Sequence, residues 1–311
     1  MNKPLAFPSP TNSTLVRFVS QIGQLSLRSY FSALSRLMPQ RAGRDAERLF
    51  TTPPRHPARY PAPATACRQT VLSAAGHLAV WQSGPAEAPA VLLSHGWGGV
   101  GSQLGGFVAP LRQAGFRVVW FDQPGHGESE GRRTALPDLV QALAALDATC
   151  GPFVAAIGHS LGAAALCLAL RGGRKFGKVV LIGTPASIGA HMHGFAKRLG
   201  LNAKVRNAVR ERVERRYATH FDEIDRIEAL AGVDADALLL HDTGDRHVPF
   251  ADSQRLARHL PRSQLIETRD LGHFRILRDP AVISVATAFI AGNDRRLPNV
   301  LPPLPLPAPL Y

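Results

Sequence analysis

Short apolar runs alternate with stretches of helical periodicity from about residue 67 to residue 291. Residues 69–73 and 77–82 flank an Ala-Gly turn and predict an opening β-hairpin. Residues 90–94, 117–121, 178–182 and 237–241, with the run that begins at Phe153, are mostly apolar along their length, and 264–268 reads as a further strand. Such runs suit strands buried on both faces of a parallel sheet. Between them, residues 104–114, 136–149, 161–171, 251–259 and 280–291 carry apolar positions at helical spacing. Strands alternating with helices predict an α/β fold, with a mostly parallel sheet covered on both faces. The rhythm stops between Pro185 and Gly232, where the chain is basic and helical without strand signals.

The two ends differ from this middle. Residues 1–10 are Pro-rich, and from Thr11 apolar positions recur at helical spacing through Met38, with a slip of phase at Gly23 that divides two amphipathic halves. Arg17, Arg28, Arg36 and Arg41 lie between the apolar positions. The preferred reading is a helix packed on the protein's own surface; the alternative is a basic amphipathic helix in peripheral contact with anionic lipid. A second short helix is expected over 44–50, then a Pro-rich strap over 52–66. The end, 297–311, alternates proline with apolar residues and reads as a polyproline-like tail. The expected organisation is an extension over 1–66, a catalytic domain over 67–296 with a helical cap at about 186–232, and the tail.

Composition and charge narrow the classes. In 311 residues, 45% are hydrophobic and 19% charged, as in an ordinary globular protein. Three cysteines, Cys67, Cys150 and Cys167, share no metal-ligand spacing and make a disulfide framework a poor reading. No run approaches the roughly 20 apolar residues of a membrane span, and no secretory signal follows Lys3, so the expected location is cytoplasmic. The net charge is +13, but residues 1–66 supply +7 of it, away from the predicted chemistry. No nucleic-acid signature accompanies it, and nucleic acid is not the expected partner.

The candidate chemistry centres on Gly158-His159-Ser160-Leu161-Gly162, which follows a strand and opens a helix. This is the pattern of a nucleophile elbow, in which a serine occupies a sharp strand-to-helix turn. Serine needs a base, and a base must come from the same carboxyl edge of the sheet. His273 follows the last predicted strand, whereas His159 is expected to pack locally and His126 to serve its glycine-rich loop. The imidazole needs a carboxylate; Asp245 after the penultimate strand is best placed, with Asp242 its competitor. An oxyanion would be held by the backbone N–H of Leu161 and that of Trp97 in His95-Gly96-Trp97. Neither His191-Met192-His193 nor His241 with His247 has a convincing complement for a metal site, and no cofactor is expected.

Together with Asp122-Gln123-Pro124-Gly125-His126-Gly127-Glu128-Ser129 and Gly244-Asp245-Arg246-His247-Val248-Pro249, these segments make residues 70–291 resemble α/β-hydrolase fold serine hydrolases of the esterase, lipase and lysophospholipase-like group. The resemblance implies an eight-stranded, mostly parallel sheet, a cap after the sixth strand, and a Ser160, Asp245, His273 triad cleaving a small or lipid-like carboxylic ester. Amide, thioester and carbon–carbon bond hydrolysis use the same triad, and a non-catalytic ligand-binding protein on this fold is the reading of another class. The cap arginines and lysines read as a solvated helix face, with attraction of an anionic substrate as the alternative.

Overall fold

The computed structural model describes residues 13–55, 66–293 and 298–301, with side chains from residue 25 onward. The Pro-rich start, positions 56–65 of the strap and the tail from 302 lie outside the described residues. By contacts, the chain divides into Met1–Phe50 with Ala190–Val213, and Thr51–Gly189 with Glu214–Tyr311.

In chain order the elements are α1 (Ser13–Leu37), α2 (Pro39–Thr51), β1 (Cys67–Ser73), β2 (Gly76–Ser83), β3 (Ala90–Ser94), α3 (Val108–Gln113), β4 (Arg117–Phe121), α4 (Leu136–Cys150), β5 (Phe153–His159), α5 (Leu161–Arg171) and β6 (Lys178–Ile182). Then follow α6 (Ile188–Leu199), α7 (Ala203–Arg216), α8 (Phe221–Ile224), β7 (Asp236–Asp242), α9 (Phe250–His259), β8 (Ser263–Thr268), α10 (Gly272–Arg275) and α11 (Pro280–Ala291).

The larger unit is built on one eight-stranded sheet in the order β1-β2-β4-β3-β5-β6-β7-β8. β2 runs antiparallel to β1 and β4, and the remaining pairs are parallel. The continuous apolar runs are explained by burial on both faces. On one face Val91, Leu93, Val118, Trp120, Ile157, Val180, Ile182, Leu238 and Leu240 recur at every second position. They form a core with Phe107 and Leu111 on the α3 side and Val282, Ala286 and Phe289 of α11. Residues of the opposite parity, such as Leu92, Val119, Ala156, Leu181 and Leu239, are equally inaccessible. α5 and α9 pack on that other face, with α4 against α5.

Despite the phase slip at Gly23, α1 runs unbroken from Ser13 to Leu37, as one glycine costs only about 1 kcal/mol in a helix interior. Two expectations need correction. The break comes at Met38, because the residue before a proline is pushed out of the helical region, and Pro39 then opens α2 at its most tolerant position. α2 therefore starts five residues before the expected 44. The helix expected over 104–114 is a 3-10 turn, Gly101–Phe107, followed by α3; Gly105 and Gly106 are poor helix formers.

The first tail residues do not run free. Glu267 of β8 donates its N–H to the Asn299 carbonyl at 3.0 Å and accepts from Leu301 N–H at 3.0 Å, and Leu301 is buried. Among the described residues no helix is long and apolar enough to cross a membrane.

Candidate active site

Parallel pairing places the ends of neighbouring strands at one edge. Ser94 is level with Gly158, His159 with Ile182, and Asp242 with Thr268. The loops that follow carry His95 to Gly99, Ser160, Asp245 and His273, so this edge gathers the candidate residues within the larger unit.

Ser160 has φ 51° and ψ −121°, a left-handed conformation that a side chain avoids unless its surroundings impose it. The close approach of strand and helix supplies that imposition. A Cβ on Gly162 would lie 2.4 Å from the Ser94 and His95 carbonyl oxygens, and one on Gly158 2.5 Å from Ala163 Cα. Both flanking positions therefore admit only glycine. Leu161 opens α5, so its N–H has no partner inside the helix.

His273 Nδ1 donates to Asp245 Oδ2 at 2.6 Å, with both side chains almost fully buried. A carboxylate only accepts, so the neutral imidazole carries its proton on Nδ1 and leaves Nε2 bare. Asp245 Oδ1 accepts from the N–H groups of His247 at 2.7 Å and Val248 at 3.0 Å. Burial alone would raise its pKa, but the hydrogen bonds from His241, His273 and Val248 and the field of His273 outweigh that and hold it well below the usual carboxylate range. Asp242 is engaged elsewhere: it accepts from Gly244 N–H at 2.9 Å, Thr268 Oγ1 at 3.0 Å and Leu271 N–H at 2.9 Å. It thereby ties the loops after β7 and β8 together.

Three further histidines surround this pair. His159 Nε2 donates to the His273 carbonyl at 2.9 Å, so its role is a tie across the site rather than the local packing expected of it. Its Nδ1 is buried without a partner. Burial, followed by the field of His273, lowers its pKa to about 3 and keeps it neutral. His247 stacks on His273 at 5.0 Å between centroids. His241 bonds to Ser253 Oγ at 2.6 Å and to the Val248 carbonyl at 3.1 Å, bracing the Asp245 loop. No local pattern announces these roles, since the His159 partner lies 114 positions away.

The turn after β3 lies directly against the elbow, where a Cβ on Gly96 would come within 2.9 Å of Ser160 Cβ. The Gly96 carbonyl accepts from His95 Nδ1–H at 2.7 Å and from Gly99 N–H at 3.1 Å. A planar trans peptide sends its N–H opposite to its C=O, so these two bonds set the direction of the Trp97 N–H. His95 Nε2 accepts from Gln123 N–H at 2.8 Å, and burial lowers its pKa to about 4. His126 serves its loop: Nε2 accepts from Gly98 N–H at 3.0 Å and Nδ1 bonds to the Pro124 carbonyl at 3.0 Å. The Trp97 ring meets its edge at 5.4 Å.

This architecture has known counterparts. Over 113 residues the chain is 35% identical to a protein of Variovorax paradoxus named provisionally as the carbamate hydrolase RutD; the match covers 35% of this chain and 42% of that protein. The chain thus aligns with less than half the length of that relative. An esterase from Rhodococcus sp. ECU1013 superposes with a TM-score of 0.55 at 21% identity, covering 72% of this chain and 98% of the esterase. A bacterial membrane phospholipase A superposes with a TM-score of 0.58 at 17% identity, covering 90% and 99%. At these identities the structural likenesses speak for the fold. Residues 90–286, more than half of the sequence and all of the elements that carry this edge from β3 through β8, match the Alpha/beta hydrolase family, and the chain belongs to that family.

Proposed function

We propose that the protein is a serine hydrolase that cleaves carboxylic esters through an acyl-enzyme intermediate, with Ser160 as nucleophile, His273 as general base and acid, and Asp245 as the partner of His273. The observation that carries this reading is Ser160 held at positive φ on an elbow, at the same strand edge as the 2.6 Å His273–Asp245 bond. Ser160 Oγ attacks the ester carbonyl while His273 Nε2 takes its proton. The buried Asp245 carboxylate stabilises the imidazolium that forms. The N–H groups of Leu161 and Trp97 receive the developing oxyanion. His273 then protonates the departing alcohol. A water, giving its proton to the same nitrogen, attacks the acyl-enzyme, releases the acid and restores Ser160. Every proton is handled by one imidazole, so the reaction needs no metal or organic cofactor.

The match to the V. paradoxus protein favours one second reading, a carbamate in place of the ester. The attacked carbonyl and the steps at Ser160 are the same. A fluorophosphonate probe and matched p-nitrophenyl esters and carbamates test both. The wild type is expected to label at Ser160 and to turn over the ester faster, and Ser160→Ala to lose labelling and turnover. A wild type that neither labels nor cleaves either substrate would defeat the proposal.

A further inference from the structure

The charge of this chain is concentrated. The unit of Met1–Phe50 with Ala190–Val213 holds 13 Lys/Arg against three Asp/Glu, so +10 of the net +13 resides in it. Of its acids, Asp45 is paired with Arg41 at 3.6 Å and Glu47 is buried. The same unit displays Leu25, Leu27, Tyr30, Leu37, Met38 and Leu49, six of the ten exposed large apolar side chains among the described residues. Leu37 is 80% exposed and Leu25 63%.

These groups are ordered along the helices. α1 already buries Phe31 and Leu34, which lie on another line of its surface. Leu27, Tyr30 and Leu37 follow at spacings of three and seven, which places them along one side of α1. On α2 the buried Ala42 and Ala46 face inward, while the exposed Arg41, Arg44 and Arg48, spaced three and four apart, form a basic line. Exposed Leu37 and Met38 stand at the corner where that line begins. Lys197, Arg198 and Lys204 are exposed on the second segment of the unit.

A phosphate-bearing partner accounts for the cations, but a nucleic-acid backbone offers nothing to solvent-facing leucine and methionine tips. A bilayer offers both phosphates and an acyl boundary. We propose that this helical unit docks on a bilayer surface carrying anionic phospholipid, with Leu37 and Met38 entering the headgroup layer and Arg41, Arg44 and Arg48 lying against lipid phosphates. The proposal is independent of the chemistry at Ser160.

Sedimentation of the full chain with vesicles tests it. The protein is expected to pellet with vesicles of equal parts phosphatidylcholine and phosphatidylglycerol, but not with phosphatidylcholine alone. About 0.5 M salt should release it, since screening shortens the reach of surface charges. One arginine near an anionic surface is worth about fivefold in binding, so neutralising Arg41, Arg44 and Arg48 to glutamine should weaken association by about 100-fold. Leu37→Ser with Met38→Ser should weaken it by about tenfold, with the far-ultraviolet circular dichroism of each variant matching wild type. Leu37→Trp gives a readout that removes no contact: its emission should shift to the blue on phosphatidylglycerol vesicles and be quenched by brominated acyl chains. Failure to pellet at low salt, or pelleting indifferent to Leu37 and Met38, overturns the proposal. Tighter binding to duplex DNA than to vesicles, unaffected by the serine substitutions, would assign the surface to nucleic acid and overturn it equally.

Discussion

A buried imidazole with one hydrogen bond and one bare nitrogen is a costly side chain, and His159 is one. An unpaired buried polar atom costs about 1–3 kcal/mol. What that cost secures is a donor for the His273 carbonyl, holding the residue whose ring must face Ser160 in the proposed reaction. His159→Phe should therefore lower kcat about tenfold with KM nearly unchanged, while His159→Gln, which keeps a donor, should restore much of it. Equal losses in both variants, or a change confined to KM, would sink that role. The glycines around Ser160 are legible in the sequence because steric demands at a strand–helix turn are local. The division of labour between Asp242 and Asp245 is less so. The two lie three positions apart, and only the path of the loop decides which carboxylate meets His273 and which binds Leu271 N–H.

The elements follow the sequence most closely where burial is most complete. β3, β4 and β6 span the expected ranges, since a strand covered on both faces is apolar along most of its length and keeps its polar residues, Ser94, Arg117 and Lys178, at an end. The boundary between the two N-terminal helices is set by a single backbone restriction before Pro39 rather than by their apolar pattern. α11 shows how an end is set: Asp279 accepts from the N–H groups of Ala281 and Val282 at 3.0 Å, Pro280 follows, and Gly292 closes the helix at φ 78°. Asp279→Ala should cost about 1 kcal/mol, read as a lower urea midpoint with an unchanged slope. An unchanged midpoint would mean that packing of Val282 alone holds this end in place.

At the scale of the molecule, neutral buried imidazoles make stability depend on pH. Burial holds His95 at about 4 and His126 and His159 at about 3, against 6.5 for a free imidazole. Between these values the unfolded chain binds more protons than the native one. Stability is therefore complete above pH 6.5 and falls as the pH drops, by up to about 1.4 kcal/mol per unit for each imidazole. The depressed Asp245 acts in a lower window: its contribution is present above the usual carboxylate pKa and is lost only as the pH falls further. Urea midpoints at pH 7.5 and 5.5 should differ clearly, and equal midpoints would show that these rings take up protons without unfolding. A different carboxylate sets another global property. Asp225 Oδ1 accepts from Ile188 N–H at 2.6 Å, and its Oδ2 from Ser187 Oγ at 2.7 Å and Gly189 N–H at 2.9 Å. The chain leaves toward α6 and returns after α8 at this one carboxylate, so the long helical excursion is a loop already stapled at its mouth. Doubling the length of such a loop costs only about 0.6 kcal/mol in closure entropy. A scaffold of this kind can lengthen, shorten or trade that segment at little cost, provided Asp225 still joins the two ends and Arg171 still holds the returning carbonyls of Glu223 and Ile224.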